Sequence, residues 1–134
     1  MVHETPAHET PRDVVQAWQE AANGRDADRL IALSTPDIEI VGPRGSARGH
    51  RVLRDWLARA GVELRPLRLF ARRDHVVVAQ HGAWRAAGTG EVIGEQVVAS
   101  SFRVVDGRVA RVARFDSLDV ALADAGLGKV DEVA

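Results

Sequence analysis

The chain has 134 residues, no cysteine and a formal net charge of -1. That length fits one domain with a single core and no staples, and the lack of cysteine excludes disulfides and thiolate zinc sites. The near-neutral charge, with arginines scattered from Arg12 to Arg114 and Lys129 as the sole lysine, argues against a nucleic-acid partner, which calls for a basic stripe.

The N-terminus, MVHETPAHETPRD, lacks the basic start and apolar core of a signal peptide. No apolar run approaches the ~18 residues that a membrane span needs, so a cytoplasmic protein with no membrane partner is expected. The repeat HETPA/HETPR invites a metal site from His3, Glu4 and His8. A zincin motif needs histidines four apart on one helical face. Here Pro6 stands between histidines five apart, and proline breaks a helix interior. No metal is expected, and residues 1–9 read as a disordered segment.

Thr10-Pro11-Arg12-Asp13 is a helix start: a capping hydroxyl, a first-turn proline and an acid at the positive end. Val14, Trp18 and Ala21 recur at helical spacing until Asn23-Gly24. Asp26 caps a second, shorter helix carrying Leu30 and Leu33, which Thr35-Pro36-Asp37 ends before a strand over 38–41. The loop GPRGSARG, 42–49, lacks the GK[ST] ending of a phosphate loop. A third helix over 50–60 has Leu53, Trp56 and Leu57 as its apolar stripe and Gly61 as its stop.

Strands follow over 62–71, 75–87 and 91–105, with Pro66 marking an edge or bulge in the first. Asp106-Gly107 is a hairpin turn, and the returning strand ends in RVARFD. Ser117 caps a last helix closed by Gly126. The domain spans 10–127, and 128–134 reads as a flexible tail. Strands clustered after helices indicate an α+β fold with an antiparallel sheet.

Alternation along a strand puts Ala110, Val112, Arg114 and Asp116 on one face of the last strand. The preceding strand offers Gln96, Val98, Ser100, Phe102 and Val104 on one face. The register of 75–87 stays open between a face with His81 and one with Trp84, since a one-residue slip swaps them. Both faces of the last strand are partly apolar. Helices are expected over one side of the sheet, and a second subunit is one candidate for the other.

With AWQEAANGRD ending the first helix, ARGHRVLRDWL opening the third, and the hairpin FRVVDGRVARVARFD, the chain resembles the nuclear transport factor 2-like superfamily. Within it, the SnoaL-like branch of ketosteroid isomerases and polyketide cyclases is the nearest likeness, over about 11–127. The resemblance implies a cone in which N-terminal helices pack on a strongly curved antiparallel sheet around a mostly apolar pocket, and a homodimer. By motif, Trp18 takes the place of the isomerase's catalytic tyrosine, Ser100 that of its hydrogen-bonding aspartate, and Val41 falls near its general base. The isomerase acid–base set is therefore absent. Asp116 matches the acid that follows an aromatic at the end of the last strand, which resembles the catalytic group of some cyclases. The same alignment turns Trp56, Leu57, Ala110, Val112 and Arg114 towards the cavity.

The candidate catalytic residues are thus Asp116, Arg114 and His81. Arg114 and Asp116 form either a surface ion pair, worth about 1 kcal/mol at most, or the polar end of a pocket in which a poised carboxylate moves a proton. His81 is a core histidine or, facing inward, a partner of Asp116 or Ser100 near neutrality. Gln96 and Ser100 are polar residues in a valine-rich strand that need partners. Trp18, Trp56, Leu57, Val98, Phe102 and Val112 complete the expected pocket lining. Trp84 on the opposite face suits a dimer interface, and Glu39, if inward, supplies a second carboxylate. The expected function is binding of a small apolar or semi-polar ligand, with cofactor-free isomerase, cyclase or hydrolase chemistry through Asp116. The alternative is a non-catalytic ligand-binding or dimerisation module.

Overall fold

The computed structural model describes residues 10–42, 45–59, 62–86 and 88–133; the expected disordered segment 1–9 lies outside them. The elements run α1 (Pro11–Asn23), α2 (Ala27–Ala32), β1 (Ser34–Gly42), β2 (Gly45–Arg48), α3 (His50–Arg59), β3 (Val62–Arg72), β4 (His75–Arg85), β5 (Val92–Val105), β6 (Arg108–Phe115) and α4 (Leu118–Ala125). The helix signals are local and physical. The Thr10 hydroxyl accepts from the Asp13 amide, Asp26 from Arg29 and Ser117 from Val120. These satisfy amide donors that the first helical turn leaves without partners.

The strands form one six-stranded sheet in the order β2-β1-β6-β5-β4-β3. Strands β3 to β6 are a meander of antiparallel neighbours, as expected. The sheet as a whole is mixed, because β1 pairs with β6 in parallel. Two segments read as breaks turn out extended: Thr35-Pro36-Asp37 lies within β1, and Gly45–Arg48 pairs back onto β1 as β2. Pro66 sits where β3 slips register against β4, on an edge strand, as its missing N–H requires. Asp106 and Gly107 both have positive φ, 51° and 77°, which a tight two-residue hairpin demands.

The main core lies between α1, α2, α3 and one sheet face. Its centre is Trp18, 2% exposed, with Val14, Leu30, Leu53, Val76, Val78 and Phe102. A smaller core sits on the other face, where Ala121, Leu122 and Ala125 of α4 cover Phe70, Val77 and Ala99. The chain itself thus covers part of the face that could have belonged to a second subunit. The tail is docked rather than loose: Val133 N–H donates to the Leu69 carbonyl at 2.8 Å, and Arg68 grips Glu132 through two bonds of 2.9 Å.

Candidate functional site

A cavity of about 250 Å³ opens between α1, α3 and the inner face of the sheet. Its aromatic wall is Trp18 and Trp56, ring centroids 5.9 Å apart and near-parallel, with Phe102 edge-on to Trp18 at 5.5 Å. Such pairs contribute roughly 0.5–1.5 kcal/mol each beyond the area they bury, so the wall is stiff. The Trp18 indole N–H donates to Ser34 Oγ at 3.0 Å, and the Ser34 hydroxyl donates in turn to the Leu30 carbonyl at 2.8 Å. Ile40, Leu53, Leu64 and Val112 add hydrocarbon, and Val41 and Gly42 complete the rim side. Leu64 is held by Asn23, which donates to its carbonyl at 2.7 Å and accepts from its N–H at 2.9 Å, closing two edge-strand groups at once.

Among the described residues, two polar side chains remain in the wall, Ser100 and Arg114. They are cross-strand partners in the β5–β6 ladder, so they project side by side from one face. Ser100 is 4% exposed and Arg114 reaches the surface. Behind Ser100 runs a buried amide chain. Gln19 Nε2 donates to Gln80 Oε1, and Gln80 Nε2 donates to Ser100 Oγ at 2.7 Å. The Arg114 guanidinium lies 5.7 Å from the centroid of the Trp84 ring, a cation over an aromatic face. Among the described residues, no carboxylate pairs with it and no carboxylate or imidazole lines the cavity.

The expected site residues separate. Trp18, Trp56, Ser100, Phe102, Val112 and Arg114 meet at the cavity. Leu57, Val98 and Ala110 are buried outside its wall, and Gln96 is exposed. Asp116 is exposed just past the end of β6, with no ion pair to Arg114 among the described residues. His81 points to the opposite face, where its Nε2 is 3.2 Å from Glu95. The open register of β4 resolves the other way: Trp84, not His81, shares the face of Ser100 and Arg114, so Trp84 is not a residue of the outer face. Gln19 and Gln80 were not among the expected site residues. Gln80 interrupts the run VVVAQHG, but its facing needed the strand register.

Glu39 also faces outward, into a charged cluster beneath α4. Arg111 holds Asp124 at 2.8 Å and reaches Glu39 at 3.4 Å, while Arg48 approaches Glu39 at 3.6 Å. Burial alone would raise the Asp124 pKa. The bonds from Arg111 and Ser101, with the charges of Arg111 and His75, outweigh it and hold the pKa below its usual value. The same carboxylate raises Arg111.

A family model described as SnoaL-like domain matches residues 15–112. Among solved structures, TerC co-crystallized with polyporic acid superposes with a TM-score of 0.70 at 22% identity, covering 87% of this chain and 98% of that one. A hypothetical protein with a ketosteroid isomerase-like fold from Catenulispora acidiphila, in complex with trimethylamine, gives 0.68 at 22%, covering 89% and 96%. A candidate polyketide cyclase from Sinorhizobium meliloti gives 0.65 at 24%, covering 82% and 99%. Likenesses at this level of identity concern the fold. No curated protein matches the chain.

Proposed function

Because the chain belongs to the SnoaL-like domain family, we propose that it binds a small, flat, largely apolar molecule in the cavity between α1, α3 and the sheet. The observation that carries this reading is the wall itself: two near-parallel indoles and a phenyl ring around about 250 Å³, with one buried hydroxyl among them. Hydrocarbon walls with a few placed polar groups are the usual make-up of small-molecule sites. The test is a titration of the intrinsic tryptophan emission with a panel of flat aromatic ligands, polyporic acid among them. Saturable quenching that Trp56→Ala abolishes supports the reading; no saturable response across the panel removes it.

A second reading keeps the expected acid–base chemistry at Asp116, on the ground that Asp116 lies one residue past the end of β6 and two residues after the wall residue Arg114. It requires the carboxylate to reach a ligand held at the rim. Asp116→Asn then leaves folding and ligand affinity intact and abolishes turnover of an enolisable or epoxide substrate. Unchanged turnover would remove Asp116 from the mechanism.

We also propose a homodimer through the part of the outer sheet face that α4 leaves open, where Ile93 and Val97 are 68% and 56% exposed. Sedimentation should give a dimer mass that Val97→Glu reduces to a monomer. A monomeric wild type rejects it.

A further inference from the structure

Among the described residues, the polar side chains of the cavity wall, Ser100 and Arg114, both offer donors. Gln80 donates to Ser100 Oγ, which leaves the Ser100 proton free to be given to something in the cavity. Arg114 has five N–H donors and no acceptor, and among the described residues no acidic side chain neutralises it. Trp84 holds the guanidinium by its flat face, which leaves the N–H edge for a partner. Ser100 and Arg114 stand directly opposite each other in the ladder, so one ligand oxygen, or one carboxylate, can meet both. An amine placed there finds only the second lone pair of the Ser100 hydroxyl to donate to, beside a guanidinium that repels a cation.

Resting on the binding reading above, we infer that the site selects anions: a flat apolar acid whose carboxylate or enolate oxygen sits at Ser100 and Arg114 while its ring system lies against Trp18 and Trp56. At the buried Ser100 the apolar surroundings strengthen the bond, whereas the exposed Arg114 adds a partly screened charge. Specificity against a neutral isostere comes from the lost charge, because its carbonyl still accepts from Ser100 but offers Arg114 no ion pair.

The test uses matched probes on the full chain by calorimetry. One pair is 2-naphthoate and 2-naphthamide; the other is 2-hydroxy-1,4-naphthoquinone, an acidic enol, and its methyl ether. 2-Naphthylmethylamine serves as the cation. The expected result is that at least one anion binds about tenfold or more tighter than its neutral partner, with the amine weakest. The pair that shows the preference tells carboxylate from enolate. Arg114→Leu should erase the preference, and Arg114→Lys should restore part of it. Ser100→Ala should lower the anion's affinity more than the neutral's. Equal affinities within both pairs, a preference for the amine, or a preference that survives Arg114→Leu overturns the inference, and the binding reading stands. If no probe binds at all, binding of flat aromatic ligands itself has failed, and the inference falls with it.

Discussion

Gln80 has no exposed surface, yet its amide accepts from Gln19 and donates to Ser100. A buried amide in that position is stable only because both ends are paired. Gln80→Ala strips the partner from two buried groups at once. The expected loss is about 1–3 kcal/mol from the unpaired groups, with a further loss from the space left behind, read as a lower urea midpoint at unchanged m. Gln19 and Gln80 could not be paired from the sequence, because they stand far apart in the chain and meet only through the α1–sheet packing. Ser100 was legible, being the hydroxyl on a strand face that it shares with Val98, Phe102 and Val104. Arg114 was legible as a cavity residue, but its partner was not: alternation suggested Asp116, whereas the strand ends at Phe115 and the guanidinium turns to Trp84, two strands away.

The helix α4 is the element most fully specified by local signals. Ser117 and Gly126 marked its ends in the sequence, and both carry out those roles: Ser117 caps, and Gly126 takes the left-handed conformation at φ 70°. Gly126→Ala puts a Cβ into that conformation, so a loss of about 1 kcal/mol is expected in thermal or urea unfolding. Its docking, by contrast, depends on Asp124, whose bonds to Arg111 and Ser101 no spacing rule reveals. Asp124 has a folded-state pKa below its unfolded value. Its contribution is therefore fully present above the unfolded carboxylate pKa of about 3.9, and is lost as pH falls through the lower folded value. Asp124→Asn should flatten the acid limb of the stability profile below about pH 4 and leave its slope near neutrality unchanged. An acid limb identical to the wild type's would remove Asp124 from acid unfolding. The strand β2 escaped notice for a related reason. Its residues Gly45–Arg48 are all exposed, so no apolar alternation marks them, and only backbone pairing to β1 makes them a strand.

For the molecule as a whole, the α+β class and the meander from β3 to β6 followed from strand periodicity and the Asp106-Gly107 turn. The parallel joining of β1 to β6 did not, because periodicity within a strand says nothing about which distant strand lies beside it. That joining completes the cavity: Ile40 stands opposite Val112, and both are in its wall. A ligand that binds only the folded chain should raise its stability by RT ln(1 + [L]/Kd), about 2.7 kcal/mol at a hundredfold excess over Kd. The midpoint of thermal unfolding should therefore climb steadily with the logarithm of ligand concentration. A midpoint indifferent to a ligand that calorimetry shows to bind would mean that its binding does not require the folded chain, and so does not require the cavity.

The wall that begins with Trp18 is finished only by Arg114. A ribosome must release the chain through Arg114 before the hollow exists, so during synthesis Trp18, Trp56 and Ile40 wait without the strand that shelters them. Nothing that binds in the hollow can assist the early steps of that process; it can act only as a latch on the finished product.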